Sequence, residues 1–377
     1  MKTKRGLVKP ARTTLSLIVK RIDHRLIASY GRPLNPFEQA QNRLLDVVRH
    51  SSLLVLQGLS YRLVTLAGPA SADGARRLRV LYAGDEQSER ARSLEYLERQ
   101  FFCGESLRQP AGRCPAWKLY AQIARLSAGV DLVVIERNRL LRWLPPAGHW
   151  ALAPTWLRMV FHFEPGESWE DVRARMRRQK KNIRLIHRSG LQFRISHADA
   201  DFELFFHRMH VPMIEKRHQE YGTIDSKQHL YRYFKDGMLM MAYSAEGEPV
   251  GGDLLYRTGD TLFAIACGVI DGSEEWTNRG VLSALYYREI EWCHANGLRK
   301  YDVGECRPFA ADGLYLHKRR WGMEPQPNPW GVREWLFWAP PGEPVGEQWL
   351  RDHPLIAEFA QVSSRPARAQ GVPSRAT

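Results

Sequence analysis

The chain has 377 residues, 44% of them apolar and 25% charged, which is enough for two ordinary domains and a sizeable core. Twelve Trp and fourteen Tyr exclude a largely disordered chain. A net charge of +14 points to an anionic partner: nucleic acid, an anionic lipid surface or a phosphorylated co-substrate.

Cys103, Cys114, Cys267, Cys293 and Cys306 are odd in number and form no CxxC pair, so neither a structural zinc site nor a disulfide framework is expected. No signal peptide is read in the basic start, and no run of about 18 uncharged apolar residues marks a membrane span. The expected location is the cytoplasm, with peripheral attachment to the inner face of the membrane open.

Residues 1–35 read as a basic amphipathic leader. Leu15, Ile18, Ile22 and Leu26 recur at helical spacing among Lys20, Arg21 and Arg25, which suits either an anionic membrane surface or packing on the protein body. Residues 36–164 form an N-terminal α/β unit, opening with an apolar-rich stretch at 44–66. Strands are expected at Leu78–Tyr82, Val130–Ile135 and Leu157–Phe163, with helical periodicity at 86–102 and 117–126.

A second unit spans 165–345. Ser168 caps a helix carrying Arg173, Arg177, Lys181 and Arg188 as far as Gly190. Arg177 and Lys181 are candidates for binding an acceptor phosphate or anionic lipid; no nucleic-acid recognition motif accompanies them. Helices at 202–221 and 228–234 follow. In the first, His207, His210, Glu215 and His218 contain a single Glu-x-x-His unit, too few for a di-metal site, so no metal is expected. His210, His218 and Tyr221 instead suit the wall of an acceptor pocket. His210 can also take a proton near neutral pH.

Strands at 238–244, 250–256 and 261–270, joined by Glu246-Gly247-Glu248 and Thr258-Gly259-Asp260, read as an antiparallel meander. Then come Asn278-Arg279-Gly280, a helix from Leu282 to His294, the strand Lys300–Val303, a helix from Leu314 to Trp321 and a late strand at 335–338. Residues 346–377 form a C-terminal segment, expected to be disordered after about 363.

This order resembles a GNAT acyltransferase, closest to the FemAB-like branch that includes polysaccharide-biosynthesis proteins and bacterial ceramide synthases. The landmarks are Arg177–Arg184 ending in Ser189-Gly190; 282–292 followed by Asn296-Gly297-Leu298 and Tyr301-Asp302-Val303-Gly304; and Gly313-Leu314 with Lys318–Gly322. The resemblance implies a mixed, mainly antiparallel sheet flanked by helices. It would also make the first half a degenerate second copy.

The activity implied is transfer of an acyl group from acyl-CoA, as co-substrate, to an amine of a cell-envelope precursor. The acceptor would be a long-chain sphingoid base or an amino sugar. Aminoacyl-tRNA is the rival donor, and a non-catalytic module gripping an anionic polymer is the rival class.

Asn278, Arg279, Gly280 and Leu282 would hold the CoA diphosphate at a helix N-terminus, although only one glycine of the common GNAT pattern is present. Lys318, at the position where many GNAT enzymes carry a Tyr, would stabilise an oxyanion or thiolate. Tyr315 is a second proton donor, Asp302 and Glu305 are alternative general bases, and Arg320 extends the acceptor side.

Overall fold

The computed structural model describes residues 59–356, except 72, 86–87, 89–91, 140, 142–149, 177–178, 219–224 and 330, together with Ile22 and a few positions between 37 and 48. The rest of the leader and the tail beyond 356 lie outside the described residues.

The chain runs β1 (Ser60–Pro69), β2 (Arg77–Gly84), α1 (Ser93–Phe101), β3 (Leu107–Pro115), α2 (Leu119–Leu126), β4 (Leu132–Asn138), β5 (Ala151–Pro154) and β6 (Leu157–His162). Next come α3 (Trp169–Arg175), α4 (Lys180–Arg188), β7 (Gln192–Ser196), α5 (Asp199–Leu204), a π-helical turn (Phe205–His210), α6 (Val211–His218) and α7 (Lys227–Asp236). The meander β8 (Met238–Tyr243), β9 (Pro249–Thr258) and β10 (Thr261–Val269) leads to α8 (Glu274–Asn278), α9 (Val281–Ala295) and β11 (Lys300–Cys306). The chain closes with α10 (Gly313–Arg320), β12 (Glu324–Gln326), β13 (Arg333–Trp338) and α11 (Pro344–Asp352).

Two mixed sheets result, ordered β3-β1-β2-β4-β13-β5 and β12-β6-β11-β10-β9-β8-β7. Each has one parallel pair, β2–β4 in the first and β10–β11 in the second; the other pairings are antiparallel. Both faces of both sheets are covered, so the central strands are mostly apolar along their length, with single buried charges such as Asp253 in β9 and Glu136 in β4.

The division between the sheets does not follow the boundary expected at 164/165. β6 lies before it yet joins the second sheet, and β13 lies after it yet pairs with β4 and β5 in the first. Arg307 stitches this crossing. Its buried guanidinium sits 3.5 Å from the Trp156 ring centroid and 5.1 Å from that of Trp335, and it donates to the Thr155 carbonyl at 3.2 Å.

Three expectations need correction. The basic helix over 168–188 is two helices, α3 and α4, broken between the buried Met176 and Gln179; Ser168 does cap the first, accepting from the Asp171 amide. The helix over 202–221 is interrupted by the π-turn. β3 was not anticipated: it is an exposed edge strand whose Pro110 sits at a register shift against β1, where a missing N–H costs no ladder bond.

Candidate active site

The second sheet opens at its parallel pair. β10 and β11 pair only from Thr261↔Lys300 to Phe263↔Asp302, although both strands continue, and β10 is bulged between Ala264 and Ala266. Beyond Phe263 the strands diverge around a cavity of about 370 Å³. Its wall is mainly apolar, with Leu282 and Leu285 from α9 and Val303 from β11. The polar exceptions are Asp253, His317 and Lys318.

Lys318 is the most unusual of these. It is 3% exposed, and its ammonium donates to the carbonyls of Val303 at 2.8 Å and Glu305 at 2.9 Å. Burial lowers its pKa from 10.5 to about 8, with Cys306 and Asp302 opposing the shift and Arg158 adding to it. Two of three ammonium donors are used by the strand, leaving one for the cavity.

α9 enters from the other side. Its N-cap is Gly280, held at φ +87° in the left-handed region that suits glycine. Val281 packs so tightly on the sheet that a Cβ on Gly251 would come within 2.5 Å of it. Asn278, expected among the diphosphate-binding residues at this helix start, is the last residue of the preceding helix α8. Arg279 is exposed, pairs with Glu275 at 3.4 Å and stacks on Trp276, outside the cavity wall. Leu282 and Lys318 line the same cavity, so the helix start and the lysine segment do converge.

The remaining expected residues scatter. Asp302 is buried, accepts a bidentate pair from Arg158 at 2.9 and 2.7 Å, and also accepts from the Gly304 amide at 2.9 Å. Its oxygens are committed to holding β11 to β6. The Glu305 carboxylate is exposed and accepts from Asn328 at 2.6 Å; only its carbonyl meets Lys318. Tyr315 is half-buried on the first turn of α10, its amide capped by Asp312.

His210 ends the π-turn, and Nδ1 lies 2.9 Å from the carbonyl of Cys267, a cavity residue. Burial lowers its pKa. Lys181 and Arg320 are exposed. Arg177, Tyr221 and the His218 side chain lie outside the described residues.

Sequence reasoning passed over Asp253, Glu289 and Tyr301. All three are buried, and the Tyr301 hydroxyl donates to Glu289 Oε2. Asp253 interrupts the apolar run of β9, and Glu289 lies on the face of α9 that also carries Leu285 and Cys293. A lone carboxylate in each otherwise buried pattern was the available signal.

A groove of about 610 Å³ between β7 and the end of α9 is larger; of its charged groups, Arg288 and Glu291 pair with each other at 2.6 Å and Arg194 lies over the Tyr243 ring. No cluster of three or more His, Cys, Asp or Glu able to hold a metal occurs among the described residues, and none of their helices is long and apolar enough to cross a membrane.

Residues 170–320 match the family described as "Acetyltransferase (GNAT) domain". They contain α3 to α10 with the divergent parallel pair. No curated protein matches the chain.

Similar solved structures include L-PGS from Bacillus licheniformis, at 14% identity and TM-score 0.35 over 86% of this chain and 98% of that one. FemX matches at 12% identity and TM-score 0.38, over 69% and 80%. A tandem GNAT protein from the clavulanic acid biosynthesis pathway matches at 12% identity and TM-score 0.32, over 86% and 94%.

Proposed function

We propose that the chain is an N-acyltransferase of the FemAB-like branch, moving an acyl group from acyl-CoA to an amine of a cell-envelope precursor. The observation that carries this reading is the shared cavity: the N-terminal turn of α9 and the buried Lys318 of α10 meet where β10 and β11 part. The first amides of α9 have no intrahelical acceptor and suit the donor's diphosphate, with Arg279 beside them. Backbone groups of the diverging strands can pair with an extended donor arm.

Attack by a neutral amine on the thioester carbonyl forms the C–N bond and an oxyanion. The free N–H of Lys318 stabilises that charge in a water-poor cleft, and the same ammonium then protonates the departing thiolate. Asp302 and His210 are assigned support roles: the first anchors β11 and the second braces the bulged part of β10. Tyr315 and Glu305 shape the entrance.

A lysine buried without a carboxylate partner in hydrogen-bond range is costly to keep, which favours chemistry over a purely binding module. The mostly apolar wall favours a fatty acyl chain or a sphingoid acceptor over an amino sugar.

The test is thiol release from a panel of acyl-CoA thioesters with long-chain amines and amino sugars, run beside aminoacyl-tRNA. Turnover with CoA thioesters, and thermal stabilisation by CoA but not tRNA, is expected. Turnover with aminoacyl-tRNA alone would transfer the reading to that donor, and inertness to every donor would leave a binding module. Attachment to anionic vesicles is proposed on the charge of residues 1–35; equal vesicle binding by residues 36–377 would remove it.

A further inference from the structure

We propose that Asp253, backed by Glu289 and Tyr301, is the group that takes the proton from the attacking amine. This rests on the acyl-transfer reading above and adds the base that reading lacks. Asp253 forms part of the cavity wall, as Lys318 does. It is 2% exposed, and no N–H or hydroxyl donates to its Oδ1; its hydrogen-bonding neighbour is the carboxyl of Glu289. Oε1 of the fully buried Glu289 likewise takes no N–H or hydroxyl donor, while Oε2 accepts from Tyr301.

The groups facing Asp253 are Glu289 from α9 and Lys318 from α10. Those interacting with Glu289 are Asp253, Tyr301 from β11 and Cys293 on its own helix. Burial and mutual repulsion raise the pKa of Asp253 well above the carboxylate range, and burial raises that of Glu289 to about 7. Two carboxyls so placed share one proton at neutral pH, and the pair takes up a second as the amine's proton reaches Asp253 and the proton Asp253 already holds passes to Glu289.

The step balances. The amine nitrogen bonds to the thioester carbon and the C–S bond breaks. The amine proton passes to Asp253, and the thiolate takes one from Lys318. Return of a proton from the carboxyl pair to the lysine resets the site with no external acid or base. Glu289 and Tyr301 act as positioning residues, holding the pair in its singly protonated form.

The probes are decanoyl-CoA with dodecylamine and with O-dodecylhydroxylamine, an acceptor of equal length whose amine is far less basic. Asp253→Asn should lower kcat with dodecylamine on the order of 10²-fold, leave KM for decanoyl-CoA within about threefold, and show a much smaller defect with the hydroxylamine. A less than about tenfold loss with dodecylamine, or an equal loss with both acceptors, overturns the proposal. Wild-type inactivity with every CoA thioester would instead sink the acyl-transfer reading and this inference together.

Glu289→Gln should keep more activity but move the acidic limb of the pH profile; an unmoved limb overturns the shared-proton pair. Should Asp253→Asn fold poorly, infrared spectroscopy of the wild type remains decisive. A buried protonated-carboxyl band is expected, shifted in Glu289→Gln as the partner carboxylate is removed, and its absence overturns the proposal.

Discussion

Replacing Lys318 with Met separates the cost of this residue to the fold from its contribution to the reaction. Its pKa lies at about 8 in the fold and 10.5 in the free side chain. At about 1.4 kcal/mol per pH unit, keeping the ammonium buried at neutral pH costs about 3 kcal/mol. Met removes that cost. It also strips the carbonyls of Val303 and Glu305 of a donor, at about 1–3 kcal/mol each.

The terms nearly cancel, so the variant should melt within roughly 5 °C of the wild type while turnover falls on the order of 10²–10³-fold. The sign of the pH dependence is also fixed. Between pH 8 and 10.5 the unfolded chain holds the lysine proton and the folded chain has released it. Wild-type stability therefore rises with pH in that window and is insensitive to this group below pH 8.

Lys318→Met abolishes that rise. Denaturant unfolding of both proteins at pH 7 and pH 10 should show the wild type gaining about 2–3 kcal/mol relative to the variant. A pH-independent difference would refute the buried, neutralisable lysine. Undiminished turnover would remove it from the mechanism.

Asp302→Asn should act on stability rather than chemistry. Depriving the half-buried Arg158 of its carboxylate costs about 2–3 kcal/mol, which thermal unfolding would show as a drop of roughly 5–10 °C. Normal melting with collapsed turnover would return Asp302 to the list of catalytic bases. Arg333→Met strands Asp85 and Glu136, which Arg333 bonds at 2.9 and 2.7 Å, and should destabilise by a similar amount. Turnover per folded molecule should be retained well below the melting temperature, and an unchanged melting temperature would refute the structural role of that network.

The meander was legible in the sequence because its turns carry glycines at positive φ, Gly247 and Gly259, between continuous apolar runs. α9, β11 and α10 were legible by their periodicity and their Gly punctuation. What sequence reading lost was non-local. The apolar run of β13 announces a strand, but nothing in it says that Trp335 lies opposite Glu136 of β4, 199 residues earlier, in the first sheet. Polar, proline-containing β3 follows the rules of an edge, which resemble those of a loop.

In the site, Lys318 was found by its place relative to Gly322. Asp302 and Glu305 were chosen for their position at a strand end, and their partners, Arg158 and Asn328, come from distant segments. Asp253 was missed because attention went to clusters of charge rather than to a single charge out of place.

A buried cation stands beside the parallel pair of each sheet, Arg333 in the first and Lys318 in the second, with opposite consequences. In the first, β2 and β4 remain paired to Ala83↔Ile135, and the end is closed by Arg333, which bonds Asp85, Ser88 and Glu136. Trp335 and Tyr82 donate to the second oxygen of Glu136, completing its partners. A guanidinium neutralised by two carboxylates, in a network with its acceptors filled, has no spare charge to offer, even though a cavity of about 320 Å³ lies against Tyr82 and Ser88. In the second sheet the strands part early, and the cation is a lysine whose bonded partners are neutral carbonyls. Its charge is uncompensated at bonding distance, its proton is loosely held, and a cavity lies against it. The partners of the buried cation, two carboxylates in one half and two neutral carbonyls in the other, thus separate the two halves more sharply than its burial does.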